Sequence, residues 1–117
     1  MMKTVLIVDD DQSVLEVLEV MLSKNFRVIT AKNGEEGVNL YAVYKPDVVL
    51  MDVMMPVMDG IEATRKIKEI DENAKILAIT AYASHKGKDM MDAGAIGVIE
   101  KPISRTKLIE IIERTIE

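Results

Sequence analysis

Five side chains in the sequence could act together chemically: Asp9, Asp10, Asp52, Thr80 and Lys101. Each comes at the end of a short apolar run: TVLIV at 4–8, VVLM at 48–51, ILAI at 76–79 and IGVI at 96–99, with Glu100 standing between the last run and the lysine. Three carboxylates gathered in one place repel one another, so the set is reasonable only around a hard divalent cation. Ligands that are all oxygen, with room for retained waters, describe Mg2+ better than zinc. A competing reading makes Lys101 a simple counter-charge and Thr80 an ordinary strand residue. It is the weaker one, because a carboxylate pair, an isolated third, a hydroxyl and an ammonium at successive strand ends are hard to assemble by accident.

The elements that must position these groups follow from hydrophobic periodicity. Apolar runs without polar alternation suit strands covered on both faces, as in a parallel sheet. Phe26 to Thr30 reads as one further strand. Val14, Leu15, Val17, Leu18, Met21 and Leu22 recur at helical spacing, and Asn33-Gly34 opens a second helix running to about Tyr44, ahead of Lys45-Pro46. Ile61, Thr64, Ile67 and Ile70 line one face of a third helix. The segment 84–93 reads as a fourth, weakened by Gly87, and Ser104 caps a last one reaching Thr115. Five strand and helix pairs in strict alternation predict an α/β fold, a doubly wound five-stranded parallel sheet with helices on both faces. Pro56 and Asp59-Gly60 end the strand near Asp52 and start a helix near Gly60. The reactive groups then share the carboxyl edge of the sheet, where open α/β sheets gather their ligands.

Length and composition narrow the alternatives. At 117 residues the chain is expected to form a single domain spanning 1–117. A chain of this size buries roughly two thirds of its unfolded surface and needs no disulfide or metal to fold. With no cysteine and no signal-like leader, a cytoplasmic location is expected. No apolar run approaches the roughly 18 residues that span a bilayer, so no membrane partner is expected. A net charge of -5 with both signs interspersed argues against direct nucleic-acid contact. One Phe, three Tyr and no Trp leave no stacking platform for bases. Four of the nine Met lie between Met51 and Met58; gap filling in an aliphatic core explains them better than a fence that keeps water from Asp52.

The motifs LIVDDD at 6–11, PDVVLMDVMMPVMDG at 46–60, ITA at 79–81 and EKP at 100–102 resemble the receiver domains of two-component response regulators, over essentially the whole chain. The resemblance implies a flavodoxin-like (βα)5 fold and a phosphorylation switch. Asp52 would accept the phosphoryl group. Asp9, Asp10, Asp52 and the backbone carbonyl of Met54 would hold Mg2+, with Asp9 acting through water. Thr80 and Lys101 would bind phosphoryl oxygens, and the backbone N–H groups of Val53 and Ala81 would add donors. Such an arrangement offsets the repulsion between a carboxylate and an incoming anionic phosphoryl group, and the acyl phosphate formed is temporary. The donor would be a sensor histidine kinase or a histidine phosphotransfer protein, and a downstream effector protein would be addressed in trans. Activation would draw the Thr80 hydroxyl toward the phosphoryl group and change the face built from the fourth helix, fifth strand and fifth helix. Here the chain departs from the family, because Val98 occupies the strand-five position that is usually Tyr or Phe. Met54 and Tyr82, two residues past Asp52 and Thr80, are bulky and are expected to slow hydrolysis of the phosphate.

Other classes fit less well. A phosphatase resembling the haloacid dehalogenase group would need a second Asp where Met54 stands. Nucleotide binding would need glycines in the first turn, where VDDDQS supplies carboxylates. A pseudo-receiver would normally have lost part of the site, and all of it is present, so no independent enzyme activity is expected beyond the chain's own phosphorylation and dephosphorylation. Among smaller features, Asp11 suits an N-cap better than a further ligand. His85, the only histidine, reads as a solvated helix residue, and Asp59-Gly60 as turn chemistry. The resemblance suggests a cis bond at Lys101-Pro102. Leu108, Ile109, Ile111, Ile112 and Ile116 spread over an arc wider than a minimal core stripe, so Ile109 and Ile116 are expected at a partner or self-association surface.

Overall fold

The computed structural model describes residues 2–81 and 85–117. Strands and helices alternate along the chain as β1 (Thr4–Val8), α1 (Gln12–Leu22), β2 (Arg27–Ala31), α2 (Gly34–Tyr44), β3 (Val48–Asp52), α3 (Gly60–Ile70), β4 (Ile76–Thr80), α4 (His85–Ala93), β5 (Gly97–Glu100) and α5 (Arg105–Ile116). The five strands form one parallel sheet in the order β2-β1-β3-β4-β5.

The apolar runs lack alternation because each strand feeds two cores. Leu6, Val8, Val49, Met51, Ile76 and Ala78 pack with the buried faces of α2, α3 and α4. Val5, Ile7, Val48, Leu50, Leu77 and Ile79 point the other way, toward α1 and α5. The period of two thus survives as a choice between two apolar layers rather than between core and water.

Side chains just ahead of four helices satisfy their first free amides. Asp11 accepts from the Ser13 amide at 2.9 Å, Asn33 from Glu36 at 2.8 Å, Asp59 from Glu62 at 2.9 Å and Ser104 from Lys107 at 3.2 Å. Asp11 and Asp59 are therefore helix caps. Tyr41 of α2 donates its hydroxyl to Asp71 at 2.9 Å, joining α2 to the end of α3. Burial pushes the Tyr41 hydroxyl above its usual range, and the Asn73 amide, followed by the Tyr41 hydroxyl, holds the Asp71 carboxyl below its own. The Lys101–Pro102 peptide is cis. Among the described residues no helix is long and apolar enough to cross a membrane.

Three sequence expectations are corrected. Both β2 and β5 lie one residue later than the apolar runs suggest, and Phe26, just before β2, is buried against α1 and α5 rather than paired in the sheet. Ile70 is exposed, and the buried stripe of α3 runs instead through Gly60, Ile61, Ala63, Thr64 and Ile67. Ile109 is buried, and Ile111 and Ile116 are half-buried against the same core. The wide arc of α5 is used within the fold, because this helix packs on the sheet and sideways on Leu15, Leu18 and Leu22 of α1. Ile109 is therefore not a free surface, and Ile116 is only partly exposed.

The loop after Asp52 is pinned at both ends. Gly60 donates its amide to the Val53 carbonyl at 2.9 Å, and a methyl on Gly60 would lie 2.1 Å from the carbonyl oxygen of Asp52. A methyl on Gly34 would meet the Met58 carbonyl at 2.5 Å. Between these contacts Val57 has φ 69°, and the Met58 amide bonds the Pro56 carbonyl across it at 2.8 Å. This is a γ-turn with a positive central φ, a strained form that a β-branched residue adopts at a cost of about 1–2 kcal/mol. Its side chain is 93% exposed and so gains little from packing. Val57→Gly is expected to stabilise the fold by about 1 kcal/mol after the entropy of the unfolded glycine is counted. A rise in the urea midpoint with an unchanged slope is the expected result; a fall would mean that the turn is not strained.

Candidate functional site

Strand register assembles the site. Val8 lies opposite Met51, so the residues that follow, Asp9 and Asp52, emerge side by side. Asp52 pairs with Ile79 and Thr80 with Glu100, which brings Thr80 and Lys101 to the same edge. Two backbone bonds extend the ladders past the strand ends, from the Asp9 amide to Ala31 at 3.1 Å and from the Lys101 amide to Thr80 at 2.8 Å.

Asp9, Asp52 and Thr80 are buried, whereas Asp10 is exposed. One carboxylate oxygen from each of Asp9, Asp10 and Asp52 falls within 4.8 Å of the other two. The Lys101 ammonium stands 3.0 Å from Asp9 Oδ2 and 3.8 Å from Asp52 Oδ1. Asp9 also accepts the Asp11 amide at 2.9 Å, which orients its carboxylate from behind. Asp9, Asp10, Asp52 and Lys101 thus come together at one edge of the sheet.

The remaining expected residues take different places. Val53 is buried, and its amide, next to the Asp52 carboxylate, favours the anion it follows. Ala81 is exposed just beyond Thr80. Met54 carries its backbone carbonyl in the pinned loop and turns its side chain outward, 63% exposed. Tyr82 lies outside the described residues, as does the side chain of His85. Sequence reasoning missed Gly60. It was read as turn chemistry, yet its lack of a side chain lets α3 begin directly against the Asp52 carbonyl. The only signal in the sequence was a glycine in the first turn of a helix, where a better helix former is expected.

The electrostatics of the cluster are unbalanced. Three carboxylates face one ammonium. The carboxyl of Asp52 is pushed up to about 6, chiefly by burial and then by the charge of Asp9; Lys101 and the Val53 amide pull the other way. A divalent cation restores the balance, and an all-oxygen donor set is what Mg2+ requires. The residues present therefore fit Mg2+.

A raised carboxyl pKa has a defined effect on stability. The folded chain holds a proton that the unfolded chain releases near 3.8, so stability falls as pH rises through the window from about 4 to 6 and stays reduced above it. Asp52→Asn removes this penalty. In the presence of a chelator it is expected to be more stable than the native chain by about 2 kcal/mol at pH 7.5, with the advantage shrinking toward zero at pH 4. Urea unfolding at the two pH values checks this, and a gap that does not depend on pH would assign the effect to something other than charge.

Residues 5–113 match the family described as the response regulator receiver domain. The chemotaxis protein CheY of Halobacterium salinarum is 41% identical over 114 residues, covering 96% of this chain and 95% of its own. The receiver domain of a sensor histidine kinase from Pseudomonas aeruginosa, solved with a magnesium ion coordinated in its active-site cleft, superimposes with a TM-score of 0.93 at 31% identity, covering 99% of this chain and 98% of that one. CheY of Borrelia burgdorferi, in a complex with CheX, BeF3 and Mg2+, superimposes with a TM-score of 0.86 at 35% identity, covering 98% of this chain and 90% of that one. On its fold, its motifs and these likenesses, the chain belongs to the receiver domains of CheY-like response regulators.

Proposed function

We propose that residues 1–117 act as one receiver unit that takes a phosphoryl group on Asp52 and signals to a partner protein in trans. The observation that carries this reading is the buried Asp52 carboxylate, crowded by Asp9 and Asp10 and reached by the Lys101 ammonium at 3.8 Å. A sensor histidine kinase or a histidine phosphotransfer protein is the proposed donor, in the cytoplasm. The complete site argues against a pseudo-receiver, and Met54 in place of a second Asp argues against the phosphatase.

Bound Mg2+ would supply charge neutralisation for the incoming phosphoryl oxygens and for the carboxylate that attacks them. The protein's own residues account for the rest. An oxygen of Asp52 attacks phosphorus, a P–O bond forms, and the P–N bond of the donor's phosphoimidazole breaks, its electron pair leaving with the ring nitrogen. Lys101 already sits between Asp9 and Asp52 and is placed to neutralise a phosphoryl oxygen without a large movement. The Thr80 hydroxyl and the N–H groups of Val53 and Ala81 complete the proposed set of donors.

Intact mass after incubation with acetyl phosphate tests the reading. One added phosphoryl group that requires both Mg2+ and Asp52, and is absent from Asp52→Ala, is the expected result. Steady consumption of the donor without a persistent adduct would instead favour the phosphatase, and no addition despite Mg2+ binding would favour the pseudo-receiver. The labelled protein then reports its own lifetime. Met54→Asn, which puts a short polar side chain beside the phosphoryl group, is expected to lose phosphate several-fold faster; an unchanged rate would remove Met54 from the control of water access.

A further inference from the structure

An open sheet ends in edges that present backbone groups, and β2 forms one of them. Its register with β1, together with the bonds from the Arg27 amide to the Lys3 carbonyl and from the Asp9 amide to the Ala31 carbonyl, turns the amides and carbonyls of Arg27, Ile29 and Ala31 toward β1. Val28 and Thr30 therefore turn both of theirs outward, and among the described residues no other strand pairs with them. The Lys32 amide just beyond is closed by the Glu36 carboxylate at 3.1 Å. Natural sheet edges are commonly blunted by a lysine, a proline or a bulge. The centre of this edge is instead Val28-Ile29-Thr30, three half-buried β-branched residues. Arg27, exposed at the start of the strand, lies over the ring of Tyr44 of α2, 5.8 Å from its centre.

We propose that the β2 edge is a self-association surface, on which a second copy of this chain pairs its own β2 antiparallel and joins the two sheets into one. In the register that uses all the free groups, Val28 of each copy exchanges both backbone bonds with Thr30 of the other, and Ile29 meets Ile29 on the twofold axis. The same register sets Arg27 opposite Ala31 of the other copy. Glu36 comes from α2 and reaches the chain at Lys32, next to Ala31. Arg27 lies on the α2 side too, against Tyr44, so each Arg27 faces the Glu36 of the other copy. This charge complementarity selects a second copy as the occupant. Leu40 and Tyr44, one turn apart on α2, and Ile29 below them form a partly exposed apolar border that the pairing covers. On the α1 side Glu19 shares a cleft with Val28, and like charges of the two copies approach there, which keeps the dimer weak and reversible. Antiparallel pairing sends the carboxyl edges of the two sheets in opposite directions, so both acidic sites stay open.

Sedimentation velocity of the full chain, from micromolar to millimolar concentration, tests this. The native chain is expected to move from monomer toward dimer as concentration rises. Thr30→Pro removes an outward amide and no bond to β1, and is expected to weaken association roughly tenfold, since symmetry removes the bond twice. Arg27→Glu and Glu36→Arg, made separately, are each expected to weaken it several-fold. The double variant restores opposite charges in exchanged positions and is expected to recover the native association. Urea midpoints of all four variants establish that each is folded, and if Thr30→Pro is not, the charge reversals decide alone. A native chain that stays monomeric over the whole range would overturn the proposal, as would a dimer that Thr30→Pro, while folded, leaves intact. Charge reversals that have no effect, or whose effects add in the double variant instead of cancelling, would also overturn it, because Arg27 and Glu36 would then not meet across the edge.

Discussion

Crowding of Asp9, Asp10 and Asp52 against a single ammonium is the constraint on which the rest of this structure depends. Two of the three carboxylates are buried, and the proton affinity of Asp52 records the resulting cost. Such a cluster cannot be placed by flexible loops, because mutual repulsion would spread it apart. It is held by a parallel ladder in which Val8 is fixed opposite Met51 and Asp52 opposite Ile79, and the ladder is held by a core on each face. The stability of the sheet thus offsets a locally unfavourable site that a divalent cation would relieve.

The loop from Val53 to Gly60 extends the same logic from side chains to backbone. Its ends are closed by the Gly60 to Val53 bond, and α3 starts so near the Asp52 carbonyl that only a hydrogen fits between them. The Asp52 main chain is therefore trapped between β1, β4 and the first turn of α3. Val57 takes a left-handed conformation because both flanks of its loop are already fixed.

Most of the fold was legible in the sequence because its signals are local. Apolar runs ending in Asp or Thr marked strand ends, and Asn33, Ser104 and Asp11 stand where caps belong. The candidate site was legible for the same reason, since a parallel sheet sends every strand end to one edge. What was not legible depends on contacts between distant segments. The burial of Ile109 and Ile116 follows from how closely α1 lies beside α5, which the periodicity of α5 alone cannot reveal. The role of Gly60 depends on a carbonyl eight residues earlier in the chain. A glycine in a sequence reads as a turn or a weak helix position, and only the neighbour across the gap distinguishes a required absence from a permitted one.

The two faces of the sheet are secured in different ways. On one face, Arg105 at the start of α5 reaches the end of α1, with Nε on the Met21 carbonyl and a guanidinium nitrogen on Asn25, each at 2.9 Å. Lys75 holds the far end of α5 through the Ile116 carbonyl at 3.4 Å. Both helices on that face are thus tied at their termini and along a continuous aliphatic seam. The opposite face carries α2, α3 and α4. There Tyr41 and Asp71 tie α2 to α3, Gly37 lets α2 settle onto Val8, and α4 buries Met90, its one large buried side chain among the described residues. A perturbation at the shared carboxyl edge therefore acts on both faces of the sheet.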